Sequence, residues 1–300
     1  MNRRKFLQKA VALGAALAAT GADPKNLAIG GTQDKHTYIP FINQDGIPVS
    51  LTKLKNLVFL HHSVGSGLID TGNMRGLLTS AGYSFWDQGY NADGLRDPDG
   101  ANPGYQYSIP NDNTHPDGLA AIFAQPYNPT PAAGTPANAF SGLMRHEVII
   151  LKSCYLAIEQ IYDPDTYEMY IPSYLSLRDR IDQFPKKAFI FLTAPPVNYL
   201  SYAAGAAGNN GRGLANWMKS SAFVGSSHPN LFVYDFFDQL ANPTNASQYA
   251  NLLQETYQKR DTNPPYNLLD DSHPNDFADQ VITPLIVNYI DQVLNTFTPG

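Results

Sequence analysis

Five short apolar runs, at 57–63, 83–88, 148–153, 188–193 and 231–236, alternate along the chain with segments of helical periodicity. The runs are rich in β-branched and aromatic residues and carry almost no in-out polar alternation. Strands of that kind are buried on both faces, which places them in a parallel sheet covered by helices. The spacing predicts helices at 73–80, 116–124, 167–183, 212–221 and 276–297. The last has the clearest stripe: Phe277, Val281, Ile282, Leu285, Ile286, Tyr289, Ile290, Val293 and Leu294 recur on one face, with Pro284 predicting a kink or interruption. The expected class is therefore α/β, with five parallel strands and helices on both sides.

The first 22 residues stand apart from this pattern. Arg3, Arg4 and Lys5 precede Phe6, Leu7 and an Ala/Leu/Val-rich run that ends in small residues, the layout of an export signal with a twin-arginine-like start. Residues 23–56 then form an N-terminal extension, and 57–300 a single domain with a long loop insertion at 91–138. The apolar run is too short and too rich in Gly and Ala to span a bilayer securely, and no cysteine follows it for lipid attachment. A periplasmic or secreted protein without integral membrane association is expected. The single cysteine, Cys154, has no partner for an internal disulfide, so packing must stabilise the fold. Net charge is −6 with no basic stripe, which argues against nucleic acid as a partner and for an uncharged or weakly charged ligand.

Candidate chemistry sits at two distant places. Ser63 follows the first apolar run, where open α/β sheets place their ligand crevice. A serine hydroxyl needs a base within hydrogen-bond reach, oriented by a carboxylate, and His273 with Asp270 supplies both. A serine after a strand also commonly caps a helix. His61 and His62 are adjacent on an extended segment, so their side chains point apart and only one can line a given pocket. No metal is expected: His61, His62, Asp270, Asp271 and His273 lack zinc-site spacing, and Asp93, Asp97, Asp99, Asp112 and Asp117 lack that of a calcium loop. Lys152 at a strand end calls for an ion pair, and Cys154 reads as a small apolar filler or a nucleophile with a lowered pKa. Tyr90, Tyr105, Tyr107 and Tyr127, in or beside the insertion, either stack on flat ligands or pin the loop to the domain.

The order of these segments resembles the SGNH or GDSL hydrolase superfamily over residues 57–297, and in particular a subgroup with His-His-Ser-x-Gly, Lys-Ser-Cys and Asp-Ser-His-Pro-Asn segments. The resemblance implies a three-layer flavodoxin-like fold and a catalytic set of Ser63, His273 and Asp270. It also implies an oxyanion hole built from the N–H groups of Ser63 and Gly89. In that family Gly-Asp precedes the nucleophile, where this chain has His61-His62, and Cys154 stands where an asparagine donor is expected. Losing one such donor costs roughly 3 to 4 kcal/mol of transition-state stabilisation. His62, Asn91, Lys152 or Ser153 are the candidate replacements. The implied activity is an exported esterase or deacetylase acting on a small acyl ester or acylated glycan, with no cofactor. A noncatalytic glycan-binding envelope protein and an O-acyltransferase are the alternatives on the same fold.

Overall fold

A computed structural model of the chain describes residues 54–107, 109, 115–130, 137–162, 164–246 and 248–299. The expected export signal and all but the last three residues of the extension lie outside the described residues. In chain order the main elements are β1 (Asn56–Leu60), α1 (Ser63–Asp70), α2 (Met74–Ser80), β2 (Ser84–Gln88), β3 (Leu95–Arg96), α3 (Pro116–Phe123), α4 (Ala139–Leu143) and β4 (Val148–Lys152). They continue with α5 (Tyr155–Gln160), α6 (Ile171–Ile181), β5 (Ala188–Leu192), α7 (Ala206–Lys219), β6 (Leu231–Tyr234), α8 (Phe236–Leu240) and α9 (Asp276–Thr296).

The sheet order is β3-β2-β1-β4-β5-β6, parallel throughout except for the β2–β3 pair. Alternate side chains on each strand feed two different cores. On β1, Val58 and Leu60 enter one, and Leu57 and Phe59 the other; on β5, Phe189 and Phe191 oppose Ala188, Ile190 and Leu192 in the same way. The first core is closed by α3 to α7 and the second by α1, α2 and α9, which makes three layers. Each fully buried large side chain stabilises the fold by about 1.5 to 3 kcal/mol relative to exposure. The reversal of strand order falls between β1 and β4, and a ligand crevice forms beyond the strand ends at such a switch point.

Two expectations change. The sheet has a sixth strand, β3, inside the 91–138 insertion, where Leu95 is buried and pairs with Gln88 at the edge. The interruption offered as one outcome at Pro284 does not occur: the last helix continues from Asp276 to Thr296 through the proline. Burial of Ile282, Ile286 and Ile290 on both sides of the proline holds the helix where its own hydrogen-bond ladder is interrupted.

The insertion is tied down by polar side chains at the end of β2. Gln88 Oε1 accepts from Tyr107 N–H at 2.8 Å, while Asn91 donates to the Ile109 carbonyl at 2.8 Å and accepts its N–H at 2.9 Å. Tyr107 O–H donates to His146 Nε2 at 2.6 Å, and His146 Nδ1–H donates to Asn56 Oδ1 at 2.8 Å. Burial, with Lys187 and Arg145 nearby, lowers His146 to about 3, so the imidazole is neutral and fits that donor-acceptor pattern. Tyr105, Tyr107 and Tyr127 pack into or against the first core, which leaves Tyr90 as the exposed member of the four expected ring platforms.

Candidate active site

The position of Ser63 is set by how β1 ends. His61 N–H continues the ladder to the Gln88 carbonyl at 3.1 Å, His62 is the extended N-cap residue, and Ser63 opens α1. The turn packs hard on His61: a Cβ on Gly65 would lie 2.4 Å from His61 Cβ, so this position requires glycine. The two histidines diverge as adjacent extended residues should. His61 Nε2 contacts Asp87 Oδ2 at 3.1 Å, and Arg75 pairs with the other oxygen of the same carboxylate. His62 instead stacks under the exposed ring of Tyr90, with centroids 4.3 Å apart.

Ser63 Oγ lies 2.7 Å from His273 Nε2 although the residues are 210 positions apart. On the other side of the ring, His273 Nδ1 is 2.5 Å from Asp271 Oδ1. A carboxylate only accepts, so Nδ1 carries the hydrogen and Nε2 is left with the lone pair facing the serine hydroxyl. Burial pushes Asp271 upward, but the backbone and side-chain hydrogen bonds of His273, its charge and Lys259 outweigh it and hold the carboxyl below its ordinary value. The Lys259 contact to Asp271 Oδ2 is 3.1 Å.

The carboxylate that meets His273 is thus Asp271 and not the expected Asp270, a correction with a local cause. Asp271 Oδ1 also accepts the N–H of His273 at 2.9 Å, an Asx turn that needs the acid two residues before the histidine. Asp270, one residue earlier, is exposed. The rest of the loop is clamped from below. Ser272 Oγ accepts Asn198 N–H at 3.1 Å, and Asn275 caps α9 by accepting Ala278 N–H at 3.0 Å. Asn275 also donates to the carbonyls of Thr256 and Gln258 at 3.0 and 2.9 Å.

On the oxyanion side, Gly89 directly follows β2 and is buried at the same sheet edge, its Cβ direction pointing toward His61 Cε1 at 3.4 Å. Among the described residues, neither Gly89 N–H nor Ser63 N–H donates a hydrogen bond. The N–H of Ser63 is thus an uncommitted donor at the start of a helix, where the backbone favours negative charge, and that of Gly89 is uncommitted at the end of β2.

The proposed replacements for the missing asparagine do not assemble there. The amide of Asn91 is committed to Ile109 and Gln88. Lys152 is buried and donates to the Ser153 carbonyl at 3.1 Å, and burial pushes its pKa down. Ser153 Oγ bonds Tyr174 O–H at 2.9 Å, and the buried Cys154 side chain belongs to the second core. Strand β4 faces a core on each side, so its polar terminal side chains are drawn inward. His62 is the one candidate donor still next to the serine.

Sequence reasoning missed Asp271, Lys259, Asn198 and Tyr155, whose ring meets His273 edge-on at 4.9 Å. The Asp-x-His spacing of an Asx turn signals the first; the others arrive from distant loops and leave no local signal. Arg212 makes structural bonds to Asp238 and Asn251, and Asp97 accepts the N–H groups of Asp99 and Ala101 in a turn.

No protein-family model matches the chain, and no curated protein matches its sequence. Among solved structures it is similar to an acylhydrolase candidate from Bacteroides fragilis, with a TM-score of 0.50 and 14% identity over 88% of this chain and 100% of that one. At that identity the likeness shows the fold: α/β, with a mostly parallel sheet between helical layers. More distant are a lipase from a goat rumen metagenome (TM-score 0.43, 11% identity, 82% of this chain and 98% of that one) and the periplasmic domain of a Salmonella Paratyphi A lipopolysaccharide acetyltransferase (0.35, 12%, 80% and 85%).

Proposed function

We propose that this protein is a serine ester hydrolase that acts outside the cytoplasm on O-acylated carbohydrate. The observation that carries the reading is the continuous chain from Ser63 Oγ through His273 to Asp271, at 2.7 and 2.5 Å. Ser63 attacks the acyl carbon while its proton passes to His273 Nε2, and the N–H groups of Ser63 and Gly89 receive the carbonyl oxygen as it gains charge. His273, now positive and held by Asp271, gives that proton to the leaving alcohol. Water then adds to the acyl carbon while giving a proton to the same nitrogen, and the carbon–oxygen bond to Ser63 breaks as His273 returns that proton to Ser63 Oγ, releasing the carboxylic acid.

Carbohydrate as the alcohol portion is supported by the exposed Tyr90 ring stacked on His62, the residue before Ser63, and by the absence of any cationic stripe in the sequence. The export-signal pattern in residues 1–22 supports the location. The test is hydrolysis of p-nitrophenyl acetate by wild type and Ser63→Ala, with circular dichroism to show an unchanged fold. Turnover by wild type that disappears in the variant supports the reading; equal turnover by both proteins rejects it.

A further inference from the structure

The wall of the site on the β4 side continues well past the reacting groups. Helix α5 begins with Tyr155, whose ring touches His273; Glu159 follows four residues on along the same helix face, and Tyr162 comes just past the helix end. At 1.5 Å rise per residue, the helical part of this strip, from Tyr155 to Glu159, is roughly 6 Å long. Tyr162 meets Tyr202 from the loop after β5, with ring centroids 5.5 Å apart and planes perpendicular. These rings are 40% and 74% exposed, far more than a tyrosine that pins a loop.

Between the two aromatic ends lies a carboxylate held in place. Glu159 Oε1 accepts the Ser201 hydroxyl at 3.0 Å, and Asp270 and Asp271 lie close enough that, after burial itself, their charges help raise its pKa. The loop that carries Tyr202 is the one anchored to the His273 loop, through Asn198 N–H to Ser272 Oγ at 3.1 Å and Asn198 Oδ1 to Ser201 N–H at 2.8 Å. The loop that carries Tyr202 is thus tied directly to the loop that carries His273.

We propose that this strip is a subsite for uncharged sugar residues adjoining the acylated one, so that the substrate is an oligo- or polysaccharide rather than a small ester or a lipid. The proposal rests on the ester-hydrolase reading and adds the extended glycan to it. Exposed tyrosine faces cover the apolar C–H surface of a sugar ring, while Glu159 and Asp270 accept its hydroxyl hydrogens. A lipid chain laid on the same strip would strip water from two carboxylates without replacing their hydrogen bonds. An acidic glycan would be repelled by them.

The test compares two substrate types in wild type and in Tyr162→Ala/Tyr202→Ala, whose exposed rings leave the core intact. For acetylated, uncharged oligosaccharides prepared from xylan, mannan and cellulose, kcat/KM in the variant is expected to fall at least tenfold through KM on the best of the three. For p-nitrophenyl acetate it stays within twofold. Parallel losses on both substrate types, or no loss on any oligosaccharide, overturn the proposal. Calorimetric binding of the same oligosaccharides to Ser63→Ala, with and without the two tyrosine changes, keeps the subsite testable apart from catalysis. Binding by Ser63→Ala that is lost in the triple variant supports the subsite even if the small ester is not turned over. Binding to none of the three glycans rejects it.

Discussion

Strands β1 and β4 are neighbours in the sheet and end at the same edge, yet their polar terminal residues meet opposite fates. After β1 the chain turns at once into α1 and delivers Ser63 to the crevice, 2.7 Å from His273. After β4, Lys152, Ser153 and Cys154 are all buried, bonded to their own surroundings or packed in a core. Both ends read alike as polar residues after an apolar run. What separates them is what the loop from the C-terminus meets: His273 puts a ring nitrogen against the Ser63 hydroxyl, whereas after β4 the same ring meets Tyr155, and Lys152 and Ser153 bond to their own surroundings instead.

Removing a group from the β1 side should act on chemistry, and removing one from the β4 side on stability. The largest effect belongs to Ser63→Ala or His273→Ala, each expected to lower kcat on p-nitrophenyl acetate on the order of 10⁶-fold, with little further loss when combined, because the groups act as a unit. Single and double variants measured together check this. Next, Asp271→Asn should cost on the order of 10⁴-fold by favouring the wrong histidine tautomer. Asp270→Asn, a surface change, should alter p-nitrophenyl acetate turnover by no more than about twofold. A larger loss in Asp270→Asn than in Asp271→Asn would reverse the assignment of the orienting acid.

A third prediction concerns the helix that follows the histidine. Asp279 on α9 lies over Gly67 of α1, and burial, with Asp276 nearby, raises its carboxyl to about 7. Its folded pKa exceeds the unfolded value, so the protonated form is the stabilising one. That contribution is complete below about pH 4 and is lost as pH rises through about 7. Asp279→Asn should therefore flatten the pH dependence of urea unfolding between pH 5 and 8, with a gain at pH 8 on the order of 3 kcal/mol. An unchanged profile would mean that the carboxylate reaches water freely. The smallest effect is on the β4 side: Cys154→Ser should destabilise by about 1 to 3 kcal/mol through a buried hydroxyl while leaving kcat within about twofold.

Much of the scaffold was legible because burial on both faces writes itself as continuous apolar runs, and all five expected runs contain strands. Strand β3 escaped notice because two residues carry no periodicity, and its pairing depends on where the insertion folds back. Within the site, Ser63 and His273 could be named from their place after a strand and before a helix. The acid could not be separated from its neighbour by spacing alone, since Asp270 and Asp271 are adjacent and an Asx turn decides between them. Lys152 was misplaced for a similar reason: sequence shows that it ends a strand, but the direction of its side chain depends on which helices cover it, whereas the filler reading of Cys154 agrees with its place in the second core. Lys259, Asn198 and Tyr155 act through contacts between loops, for which one sequence holds no local pattern.

The most direct measurement is mass spectrometry after treatment with a fluorophosphonate, which reports a serine made nucleophilic by a neighbouring base. One covalent adduct on the peptide containing Ser63, at least a hundredfold slower to form in His273→Ala, is the predicted result. An unmodified Ser63, or labelling at the same rate without the imidazole, would contradict the account.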